Sequence, residues 1–203
     1  MKMLAYGEDA LTLWSLKNRL KEILNKLGDT SDISRCRVIY RPSFGRGRKP
    51  SFGEFDFLIL SKDTLYLGES KWSESSEGKK VVMKLKPAQE SRHKIFAFYV
   101  EKWFEQGERL PEWEAFVNKI TTEAVEKGIG KLVRENHRLS KNLQAALGLI
   151  KGHFRVCPTI KNVLLYFHLG SQVLPEPPES FNLVDVNYSK CVCKESHFVE
   201  MEL

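Results

Sequence analysis

The order of strand-like and helix-like segments predicts an α/β fold. Apolar residues recur at three- and four-residue spacing over residues 8–27, alternate with polar residues over 36–41, and form two apolar runs within 54–72. Helical spacing returns over 87–150, and another apolar run follows at 162–169. The predicted order is helix, three strands, helices, strand, with a helical elaboration between the third and fourth strands.

Length and composition indicate one domain with a core of ordinary size. The chain has 203 residues, of which 42% are hydrophobic and 29% charged, which excludes intrinsic disorder, collagen and a disulfide-stapled miniprotein. No apolar run reaches the roughly 20 residues of a membrane span, and the first residues turn acidic before an apolar signal segment can form. We therefore expect a single domain over 1–203, cytoplasmic and without a membrane partner.

The first predicted helix leads into a β-hairpin. A leucine-rich stripe runs along the helix, and Gly28 supplies its C-terminal stop. The apolar runs 54–60 and 64–72 are joined by the short polar segment 61–64, which predicts a hairpin. With the strand at 36–41, these runs form the core strands within 36–72.

The segments after the hairpin alternate between helix and strand. Prolines open two helical segments, and a pair of glycines interrupts the second. The predicted segments are helices at 87–106, 111–128 and 131–150, a buried strand at 162–169, and C-terminal strands at 181–188 and 197–203, within 181–203.

The hairpin register brings two carboxylates face to face. Whether the turn has two or four residues, facing positions sum to 125, so Asp56 faces Glu69 and Glu54 faces Lys71 on one face of the sheet. Directly opposed side chains lie about 4.5–5.5 Å apart at Cβ, where like charges destabilise each other. A divalent cation with oxygen ligands would offset that cost. A salt-bridged triad of Asp56, Glu69 and Lys71 is the structural alternative.

The apolar residues of the hairpin also alternate between two faces. The sequence predicts Phe55, Phe57 and Ile59 on the face opposite to Leu58 and Leu67. Apolar residues on both faces indicate that both faces are covered.

Basic residues are concentrated in two segments of an otherwise acidic protein. Residues 35–50 and 127–155 hold thirteen Lys and Arg and one acid, whereas the remainder holds nineteen bases and twenty-five acids. Such clustering is typical of a phosphate-facing surface. It favours nucleic-acid binding by the Gly/Arg-rich loop with Arg46, Arg48 and Lys49. A solvated helix face explains the second segment equally well.

The four cysteines are predicted to be reduced thiols. A zinc site that includes Cys191, Cys193 and His197 is the less favoured alternative, because C-x-C spacing is uncommon in zinc ribbons.

The acid followed by E-x-K resembles the PD-(D/E)xK nucleases of restriction-endonuclease-like fold. Their signature places an acid on one strand and E-x-K on the next, and Asp56 with Glu69-Ser70-Lys71 matches it. The 13-position separation is similar to that in small nucleases that look like Holliday-junction resolvases. The resemblance covers about residues 7–72. It implies an αβββαβ core with a mixed central sheet flanked by helices, and a helical insertion between the third and fourth core strands.

The resemblance implies a nuclease that depends on Mg²⁺, for which Mn²⁺ can substitute. Asp56, Glu69 and the carbonyl of Ser70 would bind the metal, and Lys71 would orient and help activate the attacking water. Glu8, in the first turn of the first helix, looks like the accessory metal ligand of some members. An acidic residue at a helix N-terminus is an equally good explanation of Glu8.

Further residues are expected around this site. Glu54 holds the ammonium of Lys71 or is an outer metal ligand, and we favour the first role. Gln89, Arg92 and His93 lie one turn apart on the next helix and could reach the scissile phosphate; a polar helix face is the alternative. The Q-x-x-x-Y motif of the RecB-like branch is absent, because His93 stands where that branch has tyrosine.

The expected partner is nucleic acid, most simply DNA, and a homodimer is possible because many relatives cut duplexes as dimers. The alternative function is a nucleic-acid-binding module that keeps the fold without turnover. A protein-interaction scaffold built on Trp103 and Trp113 is less favoured, because aromatics at helical spacing usually belong to the core.

Overall fold

A computed structural model of the chain contains a five-stranded mixed sheet flanked by helices, so the mixed α/β class is confirmed. The structure describes residues 2–44, 53–75, 82–107, 112–129, 132, 138–170, 173–189 and 198–202. The helices are α1 (Glu8–Asn18), α2 (Leu20–Lys26), α3 (Pro87–Phe104), α4 (Trp113–Glu126) and α5 (Arg138–His153). The strands are β1 (Lys2–Tyr6), β2 (Arg37–Tyr40), β3 (Phe57–Leu60), β4 (Thr64–Trp72), β5 (Thr159–His168), β6 (Phe181–Asn187) and β7 (Phe198–Glu202).

The main sheet changes from antiparallel to parallel at β4. Its strand order is β2-β3-β4-β5-β6; β2, β3 and β4 are antiparallel neighbours, whereas β5 runs parallel to β4 and β6 runs parallel to β5. The β3–β4 register pairs Leu58 with Leu67 and Leu60 with Leu65, which confirms the predicted hairpin register. The connection from β4 to β5 carries α3, α4 and α5, as a crossover between parallel strands requires.

The two faces of the sheet are covered by different helices. The leucines of β3 and β4 pack with buried side chains of α3, α4 and α5, including Phe96, Phe116 and Leu147. On the other face, Ile59 and Tyr66 pack with residues of α1 and α2. Both faces are therefore apolar, and a polar side chain on either face at the strand ends needs a specific partner.

A second, two-stranded sheet was not predicted in full. β1 and β7 pair antiparallel, with Tyr6 opposite Phe198, whereas the sequence analysis predicted only the C-terminal strand. Five residues with weak alternation do not identify a strand by themselves. β1 exists because β7 supplies its hydrogen-bond partners.

The predicted bounds of two elements were wrong. The helix over 8–27 is two helices, because the backbone leaves helical geometry at Arg19 (φ −126°, ψ 13°). The strand predicted from residue 54 begins at Phe57, and Phe55 packs with Phe44 and Phe96 on the α3 side. Strict alternation ends where the strand ends, so the prediction that Phe55 shares a face with Phe57 was wrong. The other predicted elements are present with shifted ends.

None of the helices in the described ranges combines the length and apolar character that crossing a bilayer requires. The cytoplasmic location and the single domain over 1–203 stay predictions. Cys36 and Cys157 are free thiols, whereas Cys191, Cys193 and His197 lie outside the described residues.

Candidate active site

The E-x-K segment lies on β4, and its neighbouring side chains face opposite sides of the sheet. The Glu69 carboxylate meets α3, whereas the Ser70 hydroxyl meets α1 and hydrogen-bonds the hydroxyl of Thr12 at 2.8 Å. Glu69 and Ser70 are both buried, and Lys71 is partly exposed. Alternation along β4 therefore explains why one short segment contacts helices on both faces.

Asp56 is held against β4 from the residue before β3. Its Oδ2 accepts a hydrogen bond from the backbone N–H of Ser70 at 2.7 Å, and its own N–H donates to the carbonyl of Gly68 at 3.2 Å. Asp56 as a whole residue is partly exposed. These bonds hold Asp56 beside Glu69, the residue that it faces in the predicted register.

The electrostatic environment of Asp56 is dominated by burial and negative charge. Burial raises the pKa of Asp56 to about 7, and the charges of Glu69 and Glu8 act in the same direction. The Ser70 N–H and the charge of Lys71 oppose the rise. Glu8, Glu69 and Lys71 are therefore each close enough to Asp56 to influence its ionisation.

Glu8 reaches the site from the N-terminus of α1. Its Oε2 accepts a hydrogen bond from the backbone N–H of Trp72 at 2.8 Å, just beyond Lys71 on β4. The Trp72 indole N–H donates to the hydroxyl of Tyr188 at 2.6 Å, which holds this strand end in place.

Three side chains of α3 hold the Glu69 carboxylate. Gln89 Nε2 donates to Oε2 at 2.7 Å, Arg92 Nη2 donates to Oε1 at 2.7 Å, and His93 Nε2 lies 3.1 Å from Oε1. Burial alone would raise the pKa of Glu69, but the hydrogen bond with His93 and the charge of Arg92 outweigh it and hold the pKa below its ordinary value. We call Gln89, Arg92 and His93 the α3 clamp.

Asn162 at the start of the buried part of β5 extends the α3 clamp. Its Nδ2 donates to the carbonyl of Ser180 at 3.2 Å, so its Oδ1 faces His93 Nδ1 at 2.8 Å. Sequence analysis missed Asn162, because no motif marks it. Its one signal is that it is a polar residue beside an apolar strand run.

The structure does not place Arg92 and His93 on a solvent-exposed polar helix face, which was the alternative to phosphate contact. Both are buried, and their hydrogen bonds include the Glu69 carboxylate. Contact of these residues with a phosphate stays a prediction. Arg46, Arg48 and Lys49 lie outside the described residues.

Glu54 lies beside a cation that the sequence analysis did not single out. Its Oε2 is 3.1 Å from Arg41 Nη2, and Arg41 also pairs with Asp9 of α1. Arg41 has a positive φ of 48°, in the turn that follows β2. The proposed role of Glu54 in holding Lys71 stays a prediction.

The residues present fit a hard divalent cation in charge and donor type. Three carboxylates and the carbonyl of Ser70 offer oxygen donors, which Mg²⁺ prefers. The pKa of Asp56 is raised first by burial and then by the charges of Glu69 and Glu8, and a cation would offset the effect of those charges. In the described ranges, however, no three His, Cys, Asp or Glu side chains are grouped as a metal site. Oε1 of Glu69 is engaged by both Arg92 and His93, whereas Oε2 accepts one hydrogen bond, from Gln89, so ligation through Oε1 would require Glu69 to give up a contact of the α3 clamp.

No protein-family model, curated protein or solved structure matches this chain.

Proposed function

We propose that this protein is a metal-dependent nuclease that hydrolyses phosphodiester bonds of nucleic acid, with DNA as the expected substrate. The observation that carries the proposal is Asp56, a partly exposed residue with its pKa raised to about 7, held beside the buried carboxylate of Glu69. Keeping both acids together costs stability, and Lys71 offsets only part of that cost. Residues with strongly shifted pKa values cluster at functional sites, and a divalent cation would offset the repulsion between these two carboxylates.

The sheet topology supports the same proposal. α1 is followed by the antiparallel strands β2, β3 and β4, then by helices, and then by β5 parallel to β4. This is the αβββαβ order that the resemblance to PD-(D/E)xK nucleases implies. Asp56 immediately precedes β3, and Glu69-Ser70-Lys71 lies on the neighbouring strand β4, which supports the resemblance.

In this proposal each residue has a separate task. Asp56, Glu69 and the carbonyl of Ser70, with Glu8 as an accessory ligand, would hold Mg²⁺ or Mn²⁺. When bound, the ion would polarise the phosphodiester and stabilise the developing negative charge. The ammonium of Lys71 would hold the attacking water in line with the scissile bond.

The residues around the site would hold the substrate. Arg46, Arg48 and Lys49 would contact backbone phosphates and add affinity without sequence preference. Glu54 would hold Lys71 in place. A homodimer, which cleavage of both strands of a duplex would favour, stays a prediction.

The decisive experiment is cleavage of labelled duplex, branched and single-stranded DNA, and of RNA, with Mg²⁺ or Mn²⁺ present or chelated. We expect metal-dependent cleavage by the wild-type protein and loss of at least about 10²-fold in rate in Asp56→Asn and Lys71→Ala. Asp63→Asn and Lys62→Ala are matched controls, because these side chains are 77% and 78% exposed on the turn of the same hairpin. Both controls should cleave like the wild type.

A binding module without turnover is the second candidate. The observation that favours it is the α3 clamp, which engages both oxygens of Glu69. These contacts oppose ligation of a catalytic cation by Glu69. Wild-type protein that binds these nucleic acids and cuts none of them with either metal would support this candidate and reject the nuclease.

A further inference from the structure

Arg92 is a buried cation, and the described residues do not provide an acceptor for every N–H of its guanidinium. Its side chain is 10% exposed, and its Nη2 donates to the 2% exposed carboxylate of Glu69. Within the part of the chain that the structure describes, its Nε has no hydrogen-bond partner. A buried N–H without an acceptor costs free energy, so this nitrogen points to an acceptor that the described residues do not provide.

The Phe55 ring and the backbone at Gly53 lie close to the guanidinium of Arg92. The guanidinium lies over the ring of Phe55, with 5.3 Å between Cζ and the ring centroid. A Cβ atom at Gly53 would lie 2.7 Å from Arg92 Nη1, and Gly53 has a positive φ of 82°. Glycine therefore permits the close approach of the backbone to Arg92. Gly53 is also where the chain returns from residues 45–52, the Gly/Arg-rich loop.

The same guanidinium restrains Glu69. Oε1 accepts from Arg92 and lies against His93, so both of its lone pairs are engaged, and ligation of a cation through Oε1 would require Glu69 to give up one of these two contacts. If the contact given up is that with Arg92, the guanidinium becomes a buried cation without its anionic partner, which is strongly unfavourable. A phosphate group is a suitable replacement, because its oxygens can accept hydrogen bonds from the Nε and Nη2 edge of the guanidinium together.

We infer that Arg92 binds a phosphate of the substrate, and that this phosphodiester competes with Glu69 for the guanidinium. When the phosphodiester takes the guanidinium, Glu69 is released from the α3 clamp and becomes available to the divalent cation. The inference rests on the proposed function and adds that binding of the phosphodiester and binding of the cation are coupled. By linkage, a phosphodiester that strengthens cation binding must itself be bound more strongly when the cation is present.

The test measures the dissociation constant of Mn²⁺ by calorimetry, with the ion alone and with dimethyl phosphate, a phosphodiester without bases. Wild type is compared with Gln89→Met and Arg92→Met. Gln89→Met removes one clamp hydrogen bond without changing charge, so a change in affinity cannot come from net charge. Gln144→Met, a glutamine on α5, is the control for placing methionine on a helix.

We expect Gln89→Met and Arg92→Met to bind Mn²⁺ alone at least about fivefold more tightly than wild type. Each variant removes a hydrogen bond that stabilises Glu69 in the α3 clamp, the state that competes with binding of the ion. Dimethyl phosphate should strengthen Mn²⁺ binding in wild type and leave Arg92→Met unchanged. Gln144→Met should match wild type. Should Arg92→Met fail to fold, Gln89→Met still decides the result.

The inference is overturned if Gln89→Met binds Mn²⁺ like wild type, if dimethyl phosphate has no effect on wild type, or if wild type and variants bind no Mn²⁺. Strengthening by inorganic phosphate but not by dimethyl phosphate would also overturn it, because the ligand would then not be the substrate diester. Cleavage is scored separately. An active nuclease with unchanged Mn²⁺ affinities would remove only this inference, whereas cooperative binding without cleavage would remove only the nuclease.

Discussion

The backbone N–H of Ser70 on β4 donates to Oδ2 of Asp56, the residue before β3, at 2.7 Å. This bond holds Asp56 beside the buried carboxylate of Glu69, although burial and the neighbouring negative charge raise the pKa of Asp56 to about 7. The N–H of Ser70 thus stabilises an arrangement that charge repulsion opposes. The stability of the protein should therefore depend on the protonation of Asp56.

Asp56→Asn should stabilise the protein at alkaline pH. The pKa of Asp56 is about 7 in the folded state against an ordinary value of 3.8, so ionisation of the native carboxylate lowers stability as the pH rises through this interval. Asparagine keeps an acceptor for the Ser70 N–H and carries no charge. We expect a gain on the order of 2 kcal/mol near pH 8, below the full linkage value because Asp56 is partly exposed.

The measurement is urea unfolding of wild type and Asp56→Asn near pH 8 and near pH 4. The gain should shrink as the pH falls and be nearly absent near pH 4. Asp63→Asn, at an exposed position, should show little change at either pH. An Asp56→Asn protein that is no more stable than wild type near pH 8 would contradict the prediction.

Mn²⁺ should stabilise the wild-type protein through Asp56. A ligand that binds only the native state raises the free energy of unfolding by about 1.4 kcal/mol at ten times its dissociation constant. The increase should appear as a higher melting temperature in a thermal unfolding scan, and a chelator should reverse it. Asp63→Asn should keep the shift and Asp56→Asn should lose it; equal shifts in both variants would place the ion elsewhere.

Gly68→Ala should destabilise the hairpin severely. Gly68 pairs with Phe57 across β3 and β4, and a Cβ atom at Gly68 would collide with the Phe57 ring, which is fully buried. Overpacking of this kind costs about 1–3 kcal/mol or more. Chemical denaturation measures the loss.

Gly148→Ala on α5 is the matched control, because a Cβ atom there meets nothing within 4 Å. It should be neutral or stabilise the protein by up to about 1 kcal/mol through helix propensity. Equal stability of the two variants would show that the Phe57 ring does not occupy this space.

Thr12→Val should weaken the contact between α1 and β4. The buried hydroxyls of Thr12 and Ser70 hydrogen-bond each other at 2.8 Å, so valine leaves the Ser70 hydroxyl without this partner. The expected cost is about 1–3 kcal/mol, read from urea unfolding. Thr121→Val on α4 is the control: Thr121 is partly buried, and its hydroxyl donates to the carbonyl of Val117 four residues earlier in the same helix, so its loss should be smaller. Equal losses would contradict the prediction.

The sequence by itself determined the hairpin and the residues at its end. The side-chain period of a strand is two and the turn is short, so the positions of two apolar runs set the register of β3 and β4 and with it the pairing of Leu58 with Leu67. The expected opposition of Asp56 and Glu69 came from the same local rule. Interactions across a few residues were sufficient because the hairpin is itself a local structure.

Other features depended on partners that are distant in sequence. β1 forms against β7, almost the whole chain away, and Phe55 joins the α3 side because the strand begins only at Phe57. The break between α1 and α2 at Arg19 likewise interrupts an apolar pattern that continues on both sides. Local periodicity does not contain this information, since it records which residues are apolar and not where the backbone bends.

The tertiary structure alone decided how the Glu69 carboxylate is used. Sequence spacing placed Gln89, Arg92 and His93 on one helix face, but only the packing of α3 on the sheet turned that face toward β4 and brought Asn162 of β5 against His93. A hydrogen-bonded cluster of this kind requires three elements to meet at defined distances. Those distances are set by how the apolar faces of α3, β4 and β5 pack together, so they follow from the whole core and not from any one segment.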